Sequence, residues 1–447
     1  MSFGLVVAPE SPRHSPWFVR GAARLRNVWL RFEGIPAWQS SLLIFAASLA
    51  VRMALAIVLH TLNKPDRYEM ERAALSLARY GILGNPYLIP TGPTAHVAPA
   101  YALLLAAIFR LFGDGVRGEL VKKLCASAAT SAQYALLPVV SPALGMTRRV
   151  GLIAGLAGAL IPIKLATEMY GDWEAPFAAL ALLLLVYRIA VTWRDGRFPI
   201  RRGFLQGLGW GAALLCSPNL LPVFFAIMAL GLWRVGRSRP RKYLGYAAAN
   251  IVAIALCLTP WAIRNQRALG SPIFTRSNFG IELHMSNNDL ASPLEPLNLQ
   301  HRLYDMLHPL TNLKEAETVR DIGEVAYNRN KLNEALLWIR THPRRFAELT
   351  AARIWYTWFP RTPVAKRDVV DWLVTIACAL GLGLLWKRSP DSALLLSGCL
   401  LSYTAIYSII QVMVRYRYPI DWIVLLTACY FMVSAFTFLG RRPAAKL

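Results

Sequence analysis

Apolar residues form long runs near 41–62, 98–112, 120–144, 148–166, 172–190, 203–216, 218–234, 243–262, 368–386, 392–411 and 419–438. A helix needs about 20 apolar residues to cross roughly 30 Å of hydrocarbon, so the longest runs read as membrane-spanning helices. Between them lie two polar stretches, 63–97 and 263–367. Inside the second, Ile322, Val325, Ala326, Leu332, Ala335, Leu336 and Ile339 recur at helical spacing across 313–341. A connection that long is ordinarily functional. The pattern predicts an all-α polytopic membrane protein, with about 10–12 transmembrane segments and short helices in its loops.

Charge then orients the bundle. The 447 residues carry 49 Lys and Arg against 25 Asp and Glu, a formal net charge of +24, yet only 17% are charged and 55% are hydrophobic. So apolar a chain is not disordered. Its basic excess belongs to cytoplasmic loops rather than to a nucleic-acid site. The basic stretches are 187–201, 234–242, Lys387–Arg388 and Arg441–Arg442. Placing them inside puts 63–97, 263–367 and a turn at Ser217-Pro218-Asn219 outside. The stretch 263–350 holds eleven Lys and Arg against ten Asp and Glu, as an outer loop should. Both termini are then cytoplasmic, which requires an even number of crossings. The runs are odd in number, so one of the three between 98 and 166 is expected not to cross, the short 98–112 being a candidate.

This reading divides the chain into a basic leader (1–40), an N-terminal membrane module (41–262) containing the first outer loop (63–97), an outer loop domain (263–367) and a C-terminal membrane module (368–447). The leader interleaves Arg13, Arg20, Arg24, Arg26 and Arg31 with Trp17, Phe18 and Trp29, which suits either an interfacial helix or a tether. It does not read as a cleavable signal. The six Cys lie in or beside apolar runs without a CxxC pair, so neither zinc nor a disulfide framework is indicated.

Ionisable residues at the outer membrane face mark where chemistry can occur, because burying charge there is costly. Asp66 and Glu69 share one helical face in the first outer loop, and either carboxylate could serve as a general base. Asp172 and Glu174, beside Glu168, form a second acidic cluster at the outer start of a span, and the two clusters could meet over one cavity. Arg415 and Arg417 in RYRYP, and Arg264 in PWAIRN, are outer-face cations suited to a lipid phosphate. Snorkelling to headgroups would satisfy them equally. Glu282, Asn287 and Asn288 are candidates for binding sugar or acceptor. His96, His284 and His342 lack metal-ligand spacing, and no GxGxxG, Walker A or GxSxG element sits in a strand–turn–helix setting.

The ordered blocks YEM…ALSLARYG…NPY…TGPTAHVAPAYALLLAAIFRLFG, DWEAPF, TPWAIRNQRALG, RSNFGIELHMSNN, IGEVAYNRNK, HPRRFAELTAARIW and RYRYPIDW span about residues 40–440. Together they resemble bacterial membrane glycosyltransferases of the GT-C superfamily, in the branch related to protein O-mannosyltransferases and lipid A aminoarabinose transferases. The resemblance implies an inverting transferase in the bacterial inner membrane that takes its sugar from a polyprenyl-phosphate carrier. A glycan, lipid or protein acceptor would react on the periplasmic side, without a sugar nucleotide. It matches Glu69 to the family's essential acid, Glu174 to the second acidic position, and Arg415 and Arg417 to a basic pair before the last span. Asp66 departs from the family's spacing. Membrane lipids are the expected surroundings and nucleic acid is not a partner. No cofactor is required, and a divalent cation would be compatible but is not indicated. A lipid-linked sugar flippase and a polysaccharide ligase using a lipid-diphosphate glycan are the competing functions.

Overall fold

The computed structural model describes residues 33–62, 67–161, 174–361 and 365–439. Asp66, Glu168, Asp172 and most of the basic leader lie outside the described residues. The first part runs through α1 (Ala37–Val58), α2 (Glu69–Tyr80), α3 (Pro99–Phe112), α4 (Val116–Ala143), α5 (Arg148–Leu160), α6 (Ala175–Asp195), α7 (Ile200–Cys216), α8 (Leu221–Arg234) and α9 (Pro240–Leu269). The loop region adds α10 (Phe279–Ser286), α11 (Glu295–Gln300), α12 (Leu303–Leu307), α13 (Leu313–Ile322), α14 (Glu324–Thr341) and α15 (Pro343–Trp358). The chain then returns through α16 (Ala365–Arg388), α17 (Pro390–Ala405), a 3-10 turn over Val414–Ile420, and α18 (Asp421–Leu439). Among the described residues there are isolated bridges, Gly84 with Pro93 and Leu294 with Val412, but no strand.

Six helices among the described residues have the length and apolar composition to cross a membrane: Ala37–Val58, Val116–Ala143, Ala175–Asp195, Pro240–Leu269, Arg367–Arg388 and Arg415–Phe438. The protein is thus an all-α polytopic membrane protein. Other apolar runs fold into shorter helices. α3 has 14 residues, reaching roughly 21 Å at about 1.5 Å per residue, too short to cross alone. The predicted turn is present, with Cys216 ending α7 and a 3-10 turn at Pro218–Leu220 leading into α8.

Close packing holds the bundle where hydrophobicity offers no preference for protein over lipid. Gly203 and Gly207 bring α7 against α9 so tightly that a Cβ would stand 2.4 Å from the Tyr246 carbonyl and 2.5 Å from that of Asn250. Arg52, buried in the middle of α1, donates to Ser48 Oγ at 2.6 Å and to the Gly158 carbonyl at 3.2 Å. Carbonyls at the end of α5 thereby take up a cation inside the bundle.

The two polar stretches fold together on one end of the bundle, called here the loop face. Tyr87 from the first is buried among Ile281, Met285, Leu303, Val319 and Tyr327 from the second. α2 starts with Glu69 and Glu71 in its first turn, ends with Arg79 in its last, and stops at Gly81 in the left-handed region (φ 74°). Glu69 is therefore fixed at a helix start rather than on a mobile loop.

Candidate functional site

A cavity of about 380 Å³ opens where the loop face meets the helix ends. Glu69 lines it from the start of α2, and Glu174 from the residue preceding α6. Arg276, Glu282, Glu295 and His308 line it from the long loop region, and Arg415 and Tyr416 from the 3-10 turn before α18. The cavity thus gathers residues far apart in sequence, including one from each predicted acidic cluster.

The walls are held by charge. Glu174 Oε1 is 3.7 Å from Arg276 Nη1, while its Oε2 is buried with no hydrogen-bond partner among the described residues. Arg276 Nε also donates to the His96 carbonyl at 3.0 Å. The His96 ring is buried, with Nδ1 2.9 Å from the Tyr87 hydroxyl. Burial, reinforced by Arg276 and His308, pushes the His96 pKa well below the usual histidine range. Burial raises the Glu295 carboxyl against the opposing influence of Arg415. The Arg415 guanidinium lies 5.7 Å from the Tyr416 ring centre, and Tyr416 stacks on Tyr407 at 4.6 Å. Glu69 Oε1 faces His308 Nε2 at 3.5 Å.

Arg264 is absent from the cavity lining, contrary to the phosphate-binding expectation. Its guanidinium donates to the carbonyls of Thr94 and Leu83, each at 2.7 Å, and stacks on Trp261. Glu324 completes this clamp by accepting from the hydroxyls of Thr94 and Ser277 and from the Ala95 amide at 2.9 Å. Burial outweighs these bonds and raises the Glu324 carboxyl above its ordinary value. Between them, Arg264 and Glu324 fix the loop that carries His96.

Arg417 is likewise corrected. It is buried against Asp421 and does not line the cavity, so of the predicted basic pair only Arg415 does. Asn287 and Asn288 are also turned to other work. Asn287 Nδ2 donates to the Leu283 and Ile409 carbonyls, both at 2.9 Å, while its Oδ1 accepts from Arg353 at 3.1 Å. Asn288 caps the end of α10 by donating to the His284 carbonyl at 2.9 Å. Of the acceptor candidates Glu282 alone lines the cavity, accepting from Asn278 at 3.3 Å.

Glu295 and His308 carried no motif signal in the sequence beyond their place in an unusually long polar connection, while Arg276 opens the RSNFGIELHMSNN block without having been singled out for a role. Among the described residues no group of three or more His, Cys, Asp and Glu is arranged to hold a metal ion.

No protein-family profile matches the chain, and no curated protein matches it. Among solved structures, it is similar to the Archaeoglobus fulgidus oligosaccharyltransferase in the apo form, with a TM-score of 0.52 and 12% identity over 89% of this chain. A second is the archaeal oligosaccharyltransferase AglB from the same organism, in complex with an inhibitory peptide and a dolichol-phosphate, with a TM-score of 0.47, 10% identity and 90% of this chain covered. The first likeness shows the fold alone, an all-α polytopic membrane bundle shared with that oligosaccharyltransferase. The chain spans about half of that structure's length, 51%.

Proposed function

We propose that the protein is a membrane glycosyltransferase that moves a sugar, with inversion, from a polyprenyl-phosphate carrier to an acceptor hydroxyl or amine. The carrying observation is the single cavity that brings Glu69, Glu174, Arg276 and Arg415 together at one end of a membrane bundle. The resemblance in sequence and the likeness in fold to an oligosaccharyltransferase support the same reading.

Glu69 takes the proton of the acceptor as its oxygen or nitrogen attacks the anomeric carbon. The bond from that carbon to the phosphate oxygen breaks, and the phosphate leaves with the electron pair. Arg415 supplies positive charge where negative charge develops. Arg276 is partly neutralised by Glu174 and keeps that wall in shape. Glu282 and Glu295 face the space left for sugar and acceptor. Gathering charged groups at one end suits a transferase working at the membrane surface better than a flippase, whose site belongs near mid-bilayer. The charge rule puts the active face on the outer side with both termini cytoplasmic, and the family resemblance makes that side the periplasm of a bacterial inner membrane. Glycan, lipid and protein remain acceptor classes, and the donor's monophosphate separates this reading from a ligase using a lipid diphosphate.

The test is Glu69→Gln, which keeps shape and removes basicity. A deletion strain supplied with this variant should lack the transferred sugar in mass spectra of its glycolipids and glycoproteins. The purified variant should still bind undecaprenyl phosphate. Near-normal transfer would overturn the assignment.

A further inference from the structure

We infer that His308 is the positioning residue for the Glu69 carboxylate, an inference that rests on reading Glu69 as the base. His308 follows α12, with one ring nitrogen and its backbone both held in the turn. The Leu310 amide donates to its Nδ1 at 3.1 Å. Its carbonyl accepts from the amides of Thr311 at 3.1 Å and Asn312 at 2.8 Å. The turn is tied to the first polar stretch by the Leu88 amide, which donates to the Pro309 carbonyl at 3.1 Å.

Those bonds decide the tautomer. A nitrogen that accepts from a backbone N–H carries no proton, so the neutral ring holds its hydrogen on Nε2. Nε2 is the atom facing Glu69 Oε1, at 3.5 Å. That separation is longer than a formed hydrogen bond, and catalytic contacts commonly tighten once substrate is bound. The residue is only 3% exposed. Besides Glu69 it faces Tyr304, with ring centres 5.4 Å apart, and His96, at 6.4 Å.

A donor on Oε1 aims the carboxylate and leaves Oε2 to receive the acceptor's proton. The loop region thereby reaches across the cavity to set the base contributed by α2, so the base is in register only when the two polar stretches are docked.

Two substitutions separate aiming from mere packing. His308→Asn keeps an acceptor near the Nδ1 position for the Leu310 amide but is too short to reach Glu69. His308→Gln reaches Glu69 with an N–H but gives up the turn bond. Transfer is read as product in membranes of a deletion strain supplied with each variant. Folding is read as the melting temperature of the purified protein, and carrier binding with undecaprenyl phosphate as probe. Positioning predicts that Asn stays folded, binds the probe and loses turnover on the order of tenfold to a hundredfold, while Gln restores most of it. Packing predicts the reverse order, and Asn with full turnover, or Gln no faster than Asn, would overturn the inference. Glu69→Gln run alongside keeps the two claims apart. An active Glu69→Gln removes the base reading itself, whereas an inactive one beside a fully active His308→Asn removes only the role of His308.

Discussion

Arg417 donates through Nε to Asp421 Oδ1 at 2.8 Å, one helical turn away, and the pair is buried where the 3-10 turn enters α18. Nη2 lies 3.9 Å from Asp371 Oδ1, and Nη1 donates to the Thr357 carbonyl and Thr375 Oγ1, both at 3.4 Å. One guanidinium therefore joins α15, α16 and α18. Removing one partner from a buried ion pair costs about 3–5 kcal/mol, because the other charge stays behind uncompensated. Arg417→Gln and Asp421→Asn should each lower the melting temperature of the detergent-purified protein. The double variant should lose less than the sum of the two. Wild-type melting in Arg417→Gln would show that the pair contributes nothing.

Arg415, two residues earlier, should behave in the opposite way. It lines the cavity and lies against Tyr416, so its planar fork rather than its charge alone is expected to matter. Arg415→Lys should leave melting unchanged and weaken undecaprenyl phosphate binding roughly tenfold, the loss of one good charge-assisted bond. Binding measured in detergent without other phospholipid excludes headgroups as competitors. Unchanged affinity there would remove Arg415 from the carrier site.

His96 gives a signed pH dependence. Its pKa is lowered in the fold by burial first, then by Arg276 and His308. Below its ordinary value near 6.5 the unfolded chain binds a proton that the folded chain does not. Stability is therefore lost as pH falls from about 6.5 towards the depressed folded value, at up to about 1.4 kcal/mol per pH unit. The melting temperature of the wild type should drop between pH 7 and pH 5 by more than that of His96→Gln. Parallel pH curves for the two proteins would contradict this.

What the sequence discloses divides along a physical line. Periodicity and charge asymmetry are properties of contiguous residues, so the long spans and the turn at Ser217-Pro218-Asn219 can be read directly. Glu69 and Glu174 stand out because a carboxylate at a membrane boundary is rare enough to need a reason, and both line the cavity. A lone Arg does not carry its partner in the sequence. Arg264, Arg415 and Arg417 occupy similar boundary positions, yet one clamps loop carbonyls, one lines the cavity and one fills an ion-pair cluster. Arg264 reaches carbonyls far away in sequence, and Arg417, besides Asp421 four residues on, reaches α15 and α16. The partner of His308 is as remote: its significance depends on a backbone amide two residues on and a carboxylate in the other polar stretch.

Asn287 is the last case where position suggested recognition and the structure supplies a structural bond instead. Arg353 is buried with no exposed surface, and burial lowers its pKa to about 10. Its bonds run to the Asn287 Oδ1, to the Ile409 carbonyl at 3.1 Å and to the Ser286 carbonyl. Asn287 donates to the same Ile409 carbonyl, so the pair ties α10 and α15 to the segment leading towards Arg415. Asn287→Ala removes an acceptor from a buried cation and donors from two buried carbonyls. An unsatisfied buried polar group costs about 1–3 kcal/mol, more when charged. Asn287→Ala should therefore lower the melting temperature distinctly, and at a temperature where it remains folded its response to acceptor concentration should match the wild type. Glu282→Gln should do the converse, because Glu282 faces the cavity from the same helix: melting holds while the acceptor response changes. Normal melting with an altered acceptor response in Asn287→Ala would return that residue to the recognition surface.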